Sequence, residues 1–128
     1  MLACLVAGTT VVRLAAVVTL AWTHSVQKSE WQEDWRATPA GLQLTEVRVQ
    51  GSGAGMEPPD DAVLQGEFYV AHPRLAPQKE VLLRRSGATA DWRVCSAGRC
   101  QPMGELVPPD ADPVRFTTCA APELPPRR

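Results

Sequence analysis

At 128 residues the chain has the length of one domain, and a domain of this size buries roughly two-thirds of the surface its unfolded form exposes. Apolar residues at 45% and charged residues at 21% exclude wholesale disorder. A formal charge of -1 supplies no basic field for a phosphate backbone, so nucleic acid is not an expected partner.

The amino-terminal stretch "MLACLVAGTTVVRLAAVVTLAW" invites comparison with a secretion signal or a membrane span. A signal wants a basic segment before its apolar run, whereas nothing charged precedes Arg13, in mid-run. A spanning helix wants about 20 apolar residues, and Thr9, Thr10, Arg13 and Thr19 interrupt this one. β-Branched Val11, Val12, Val17 and Val18 favour strands at 2–6 and 10–14, with Ala7-Gly8-Thr9 as the turn between them. A signal or anchor is the competing reading.

Downstream, turn residues recur roughly every eight to fifteen positions, the spacing of an all-β sandwich or barrel. The glycine-rich stretch 51–55, Pro58-Pro59-Asp60-Asp61, Pro73, Pro77, Ser86-Gly87, Ala97-Gly98, Pro108-Pro109 and Pro113 punctuate strands expected at 17–26, 31–37, 42–50, 67–71, 80–85, 91–95, 100–103 and 114–119. The expected fold is all-β: one antiparallel sandwich or partly open barrel of about eight short strands over residues 1–121. Residues 122–128 are expected to form a flexible, proline-rich tail. The charges are scattered except at Arg84-Arg85 and Arg127-Arg128, which read as solvated tips.

Within 42–50, Leu42 and Leu44 fall on one parity and Val47 and Val49 on the other, with Thr45 and Glu46 between them. A β-bulge there returns both pairs to the core face at the cost of one unpaired residue. Without a bulge the strand is buried on both faces.

The segment "DWRVCSAGRCQP" carries the sharpest local signal. A two-residue loop at Ala97-Gly98 sets Ser96 opposite Arg99, and Cys95 opposite Cys100 as a non-hydrogen-bonded pair. Cα atoms there lie about 4.5–5.5 Å apart, within disulfide range. A disulfide is the preferred reading; free thiols and a metal-binding pair are the alternatives. Cys4 and Cys119 then remain to join the first strand to the last, a closure worth roughly 5 kcal/mol against roughly 2 for the short link. An even cysteine count favours an oxidising compartment, while the lack of an ordinary signal argues for the cytoplasm. A periplasmic or extracytoplasmic location is preferred, with a cytoplasmic one as the alternative.

Three tryptophans crowd "WTHSVQKSEWQEDW". Alternation places Leu20, Trp22, His24 and Val26 on one face and Thr19, Ala21, Thr23 and Ser25 on the other, so His24 and Ser25 point apart. That counts against a serine–histidine dyad, and no GxSxG is present. Trp31, Glu33 and Trp35 share a face, which partly desolvates Glu33 and raises its pKa unless His24 compensates. "GSGAGM" lacks the Lys and Ser/Thr of a P-loop and leads into prolines, so it reads as a strand exit needing positive φ or close backbone approach. Two histidines without HExxH or paired carboxylates define no metal site, and no cofactor is expected.

Taken together, "TLAWTHSV", "WQEDW" and "GLQLTEVRVQGSGAGMEPP", with "CLVAG" and "DWRVC", resemble the DUF1850 family across nearly the full chain. These are small bacterial and archaeal proteins of unknown function, often encoded beside fused TRAP-type permeases of the TAXI class. The resemblance highlights Thr23, His24, Ser25 and Val26, then Glu33, then Gly53, Ala54, Gly55 and Met56. Members commonly carry two successive glutamates where this chain has Gln32 and Glu33.

The resemblance implies a non-catalytic accessory protein of a TRAP-type carboxylate or organic-solute uptake system. Its expected partners are the permease, the solute-binding protein or the solute, with peripheral membrane association. The expected binding patch is His24, Ser25, Glu33 and Gly53, Ala54, Gly55 and Met56, beside solvent-facing indoles that serve as interface anchors. The alternatives are a small hydrolytic or metal-dependent enzyme using His24 and Glu33, and a purely structural disulfide-stapled module.

Overall fold

The computed structural model describes residues 1–23, 29–51, 61–87 and 90–122. Its described strands are β1 (Leu2–Ala7), β2 (Thr10–Arg13), β3 (Val17–Thr23), β4 (Glu30–Thr38), β5 (Gly41–Gln50), β6 (Val63–Gln65), β7 (Phe68–Ala71), β8 (Glu80–Leu83), β9 (Arg93–Ser96), β10 (Arg99–Pro102) and β11 (Val114–Cys119). They form two antiparallel sheets, β2-β1-β11-β8 and β10-β9-β3-β4-β5-β7-β6, packed as a sandwich that does not close into a barrel.

The amino-terminal apolar stretch is two strands of the smaller sheet, turned by Gly8 at φ 60°. Among the described residues, no helix is long and apolar enough to cross a membrane. Alternation in β1 sends Ala3 and Leu5 into the core, where they meet Val114 and Phe116 of β11. The larger sheet contributes Val18, Leu20, Trp35, Ala37, Leu42, Leu44, Val47, Val49 and Val94. Across the layers, the Trp35 and Phe116 rings meet edge to face with centroids 5.9 Å apart.

The expected bulge is present, and Thr45 is the extra residue. Asp34 pairs with Glu46 and Trp35 with Leu44, so Thr45 is skipped and all four apolar residues of the strand reach the core. The Thr45 hydroxyl donates to the Asp34 carbonyl at 3.1 Å, satisfying a backbone acceptor at the irregularity. The hairpin at Ala97-Gly98 is also as expected: both residues have positive φ, Cys95 faces Cys100, and the pair is bonded with its Cα atoms 4.0 Å apart. A second disulfide joins Cys4 of β1 to Cys119 of β11.

Residues 14–16 carry the chain from the smaller sheet to the larger. Leu14 N–H donates to Ala3 O and Ala3 N–H to Ala15 O on the side of β1, Ala37 N–H donates to Ala16 O on the side of β4, and Ala15 N–H donates to the Ser96 hydroxyl. Leu42 and Gln78 exchange two more, at 2.7 and 2.8 Å. Gly41 is required beside them, because its φ is 129° and a Cβ would lie 2.6 Å from Gln78 O.

Two described elements carry no sequence signal. In β6, Val63 and Leu64 are both exposed, so no alternation marks the strand. The single 3-10 turn Met103–Glu105 is too short for a helical repeat, yet it buries Met103 completely.

Candidate functional site

Away from the main-chain links, the carboxyl ends of β3 and β8 lie near the chain entering β9 and β11, and a cleft of about 470 Å³ opens between them. One wall is aromatic. Trp22 follows Val18 and Leu20 on the inner face of β3, and Trp92 precedes Val94 of β9, so period-2 alternation aims both indoles inward. Their ring centroids are 4.8 Å apart, and Trp22 also stacks on Trp31 of β4 at 5.9 Å. The opposite wall is formed by Arg84 to Gly87 and Pro109 to Asp112, with Thr23, Ala90 and Asp91 completing the lining.

Arg85 holds these loops together. Its Nε and Nη2 donate to the two Asp91 carboxylate oxygens at 3.0 and 2.8 Å, and Nη1 donates to the carbonyls of Pro108 and Ala111. Asp91 also accepts the backbone N–H groups of Gly104 and Trp92. Burial alone would push the Asp91 carboxyl up, but Arg85 and the two amides hold it below the usual carboxylate range. Beside this pair, Arg84 Nε donates to Asp112 at 3.1 Å and the Trp92 indole donates to Arg84 O at 2.9 Å. Asp112 accepts Arg85 N–H at 2.9 Å, the foremost reason that its carboxyl is held low.

The arginine pair is therefore a solvated tip only in part. The Arg84 side chain is 75% exposed, but that of Arg85 is 8% exposed. Burial of a guanidinium requires partners distant in sequence, which a local reading cannot supply. The indoles need a similar correction as interface anchors. Trp35 is 4% exposed and belongs to the core, and Trp22, Trp31 and Trp92 are half-buried against one another and the core. The reason is geometric: Trp22, Trp31 and Trp35 share the parity of core-facing Leu20 and Ala37.

Glu33 does lie between Trp31 and Trp35 on β4, opposite Leu20 and Val47 of the neighbouring strands. Burial pushes its carboxyl up, opposed by the Trp35 indole N–H, which donates at 3.2 Å. Glu33 is not among the cleft-lining residues. Because its folded pKa exceeds the unfolded one, the neutral form is favoured in the folded state, and this contribution is lost as pH rises through the raised value. Glu33→Gln is therefore expected to unfold like the parent near pH 4 and to be the more stable protein at pH 7, as denaturant midpoints at both pH values will show. The buried Trp31 indole N–H next to it has no hydrogen-bond partner among the described residues.

His24, Ser25, Gly53, Ala54, Gly55 and Met56 lie outside the described residues. The chain enters both segments from the same end of the larger sheet, since Thr23 pairs with Glu30 and Trp31 with Val49. Gly51, the last described residue of that exit, shows the close approach expected of the glycine-rich segment: a Cβ would lie 2.6 Å from the Tyr69 ring. On the outer face, Arg48 donates to both Asp34 carboxylate oxygens at 2.8 Å and separately to Glu46, and His72 Nε2 lies 3.0 Å from Glu46. Arg48 foremost, aided by the Thr19 hydroxyl against the effect of burial, keeps the Asp34 carboxyl low. Among the described residues no group of three or more His, Cys, Asp or Glu is placed to hold a metal ion.

Fold and cleft define a small disulfide-linked β-sandwich domain with an aromatic-walled cavity at one end. Residues 18–103 match the family described as a domain of unknown function (DUF1850), and the chain belongs to it. No curated protein and no solved structure matches the chain. Its two disulfides are compatible with an extracytoplasmic location.

Proposed function

We propose that this domain is a non-catalytic accessory protein of a TRAP-type (TAXI) solute uptake system, acting in the periplasm or another extracytoplasmic space. Its cleft binds the solute or a component of the transporter. The observation that carries this reading is the cleft itself, whose volume of about 470 Å³ and indole wall suit recognition of a small organic group. Arg85 and Asp91 support it by fixing the shape of the wall through paired, hydrogen-bonded charges. An enzyme built on His24 and Glu33 would place its carboxylate away from this cavity. His24 and Ser25, next in the chain after cleft-lining Thr23, are retained as contact residues, with Gly53, Ala54, Gly55 and Met56.

Ala90 is exposed on the lining, so Ala90→Trp fills the cleft without disturbing the core. Affinity capture of the permease or solute-binding protein, together with solute uptake by cells carrying the variant, tests the proposal. Loss of either capture or uptake at least about tenfold is expected, the scale of losing one anchored contact. Unchanged capture and uptake for both Ala90→Trp and His24→Ala would remove the reading.

A further inference from the structure

Five charged residues line the cleft: Arg84 and Arg85 against Asp91, Asp110 and Asp112. Four of them are already matched. Arg85 is sequestered by Asp91 and by two main-chain carbonyls, so its charge is not presented to a ligand. Arg84 is engaged by Asp112, which leaves no uncommitted cation among the described lining residues. Asp110 is exposed and has no ionic partner among the described residues. One uncompensated carboxylate thus lines a cavity that the indoles of Trp22 and Trp92 also line.

An anion entering this space would meet the uncompensated Asp110, and would share Arg84 with the Asp112 carboxylate that already holds it. A neutral apolar body would leave the carboxylate unused. A cation with apolar substituents meets both features at once, since its charge is attracted by the indole quadrupoles and by Asp110 while its carbon atoms cover the rings. We infer that the cleft binds a small organic monocation, a substituted ammonium with an apolar body, with Trp22 and Trp92 as the wall and Asp110 as the counter-ion. This rests on the cleft being the binding site and names the chemical class of its ligand. The volume suits a free solute of this kind.

The test is a titration of tryptophan fluorescence in the purified, oxidised protein with choline, with its uncharged isostere 3,3-dimethylbutan-1-ol, and with 3,3-dimethylbutyrate as the anion. Saturable quenching by choline is expected, with the alcohol and the carboxylate weaker by about tenfold or more. Asp110→Asn, a change at an exposed residue, is expected to weaken choline about fivefold and leave the weak binding of the alcohol unchanged. Added salt should weaken choline binding only while Asp110 is present. Equal binding of the isosteric pair, stronger binding of the carboxylate, or an Asp110→Asn variant indistinguishable from the parent overturns the inference. Transporter capture that depends on the cleft, with no choline binding, would overturn it while leaving the accessory role standing.

Discussion

Replacing Cys4 and Cys119 together by alanine is expected to lower the free energy of unfolding by about 5 kcal/mol. The bond spans 115 positions of sequence, so its loss frees nearly the whole unfolded chain from closure. Cys95–Cys100 spans only 5, and the same reasoning gives about 2 kcal/mol for its removal. Small domains are typically stable by about 5–15 kcal/mol, so the long link can decide whether this one stays folded at 37 °C. Urea unfolding of the two double-alanine variants under non-oxidising conditions measures the difference. If the terminal pair costs no more than the hairpin pair, chain closure is not what this bond contributes.

Arg85→Ala comes next, with an expected loss of about 3 kcal/mol and a fall in melting temperature of about 10 °C. The guanidinium gathers Asp91, Pro108 and Ala111 into one arrangement, and its removal strands the Asp91 carboxylate against Gly104 and Trp92. Because the two charges form one unit, Arg85→Ala with Asp91→Ala should cost less than the sum of the single changes. Arg85→Lys keeps the charge but cannot reach two carboxylate oxygens and two carbonyls at once, so it should recover only part of the loss. Calorimetry on the parent and these four variants checks both statements. Strict additivity would mean that the pair is not coupled.

What could be read from residue order was whatever alternation and turn chemistry express locally. The change of parity between Leu44 and Val47 announced the bulge at Thr45, and Ala97-Gly98 announced both a hairpin and its disulfide. The shared face of Trp31, Glu33 and Trp35 was equally legible, and with it the desolvation of the carboxylate. The cleft was not. Arg85 looks like any surface arginine until Asp91, Pro108 and Ala111 are brought to it by β8, β9 and β11, and Asp110 gains its meaning only from the pairing of its neighbours. The depth of the indoles was hidden for a related reason: alternation tells which residues share a face, but a second sheet must arrive before one face becomes the interior. Strand β6 escaped because neither of its faces is covered.

The molecule is fastened differently at its two poles. Near Leu42 and Gln78 the layers are joined by peptide groups, whereas around Arg85 the corresponding grip is made by a side chain. Peptide links are indifferent to most side chains at the residues that make them, while a guanidinium clasp is lost with the one side chain that forms it. The mouth of this protein can therefore be reshaped or loosened without unpicking its base.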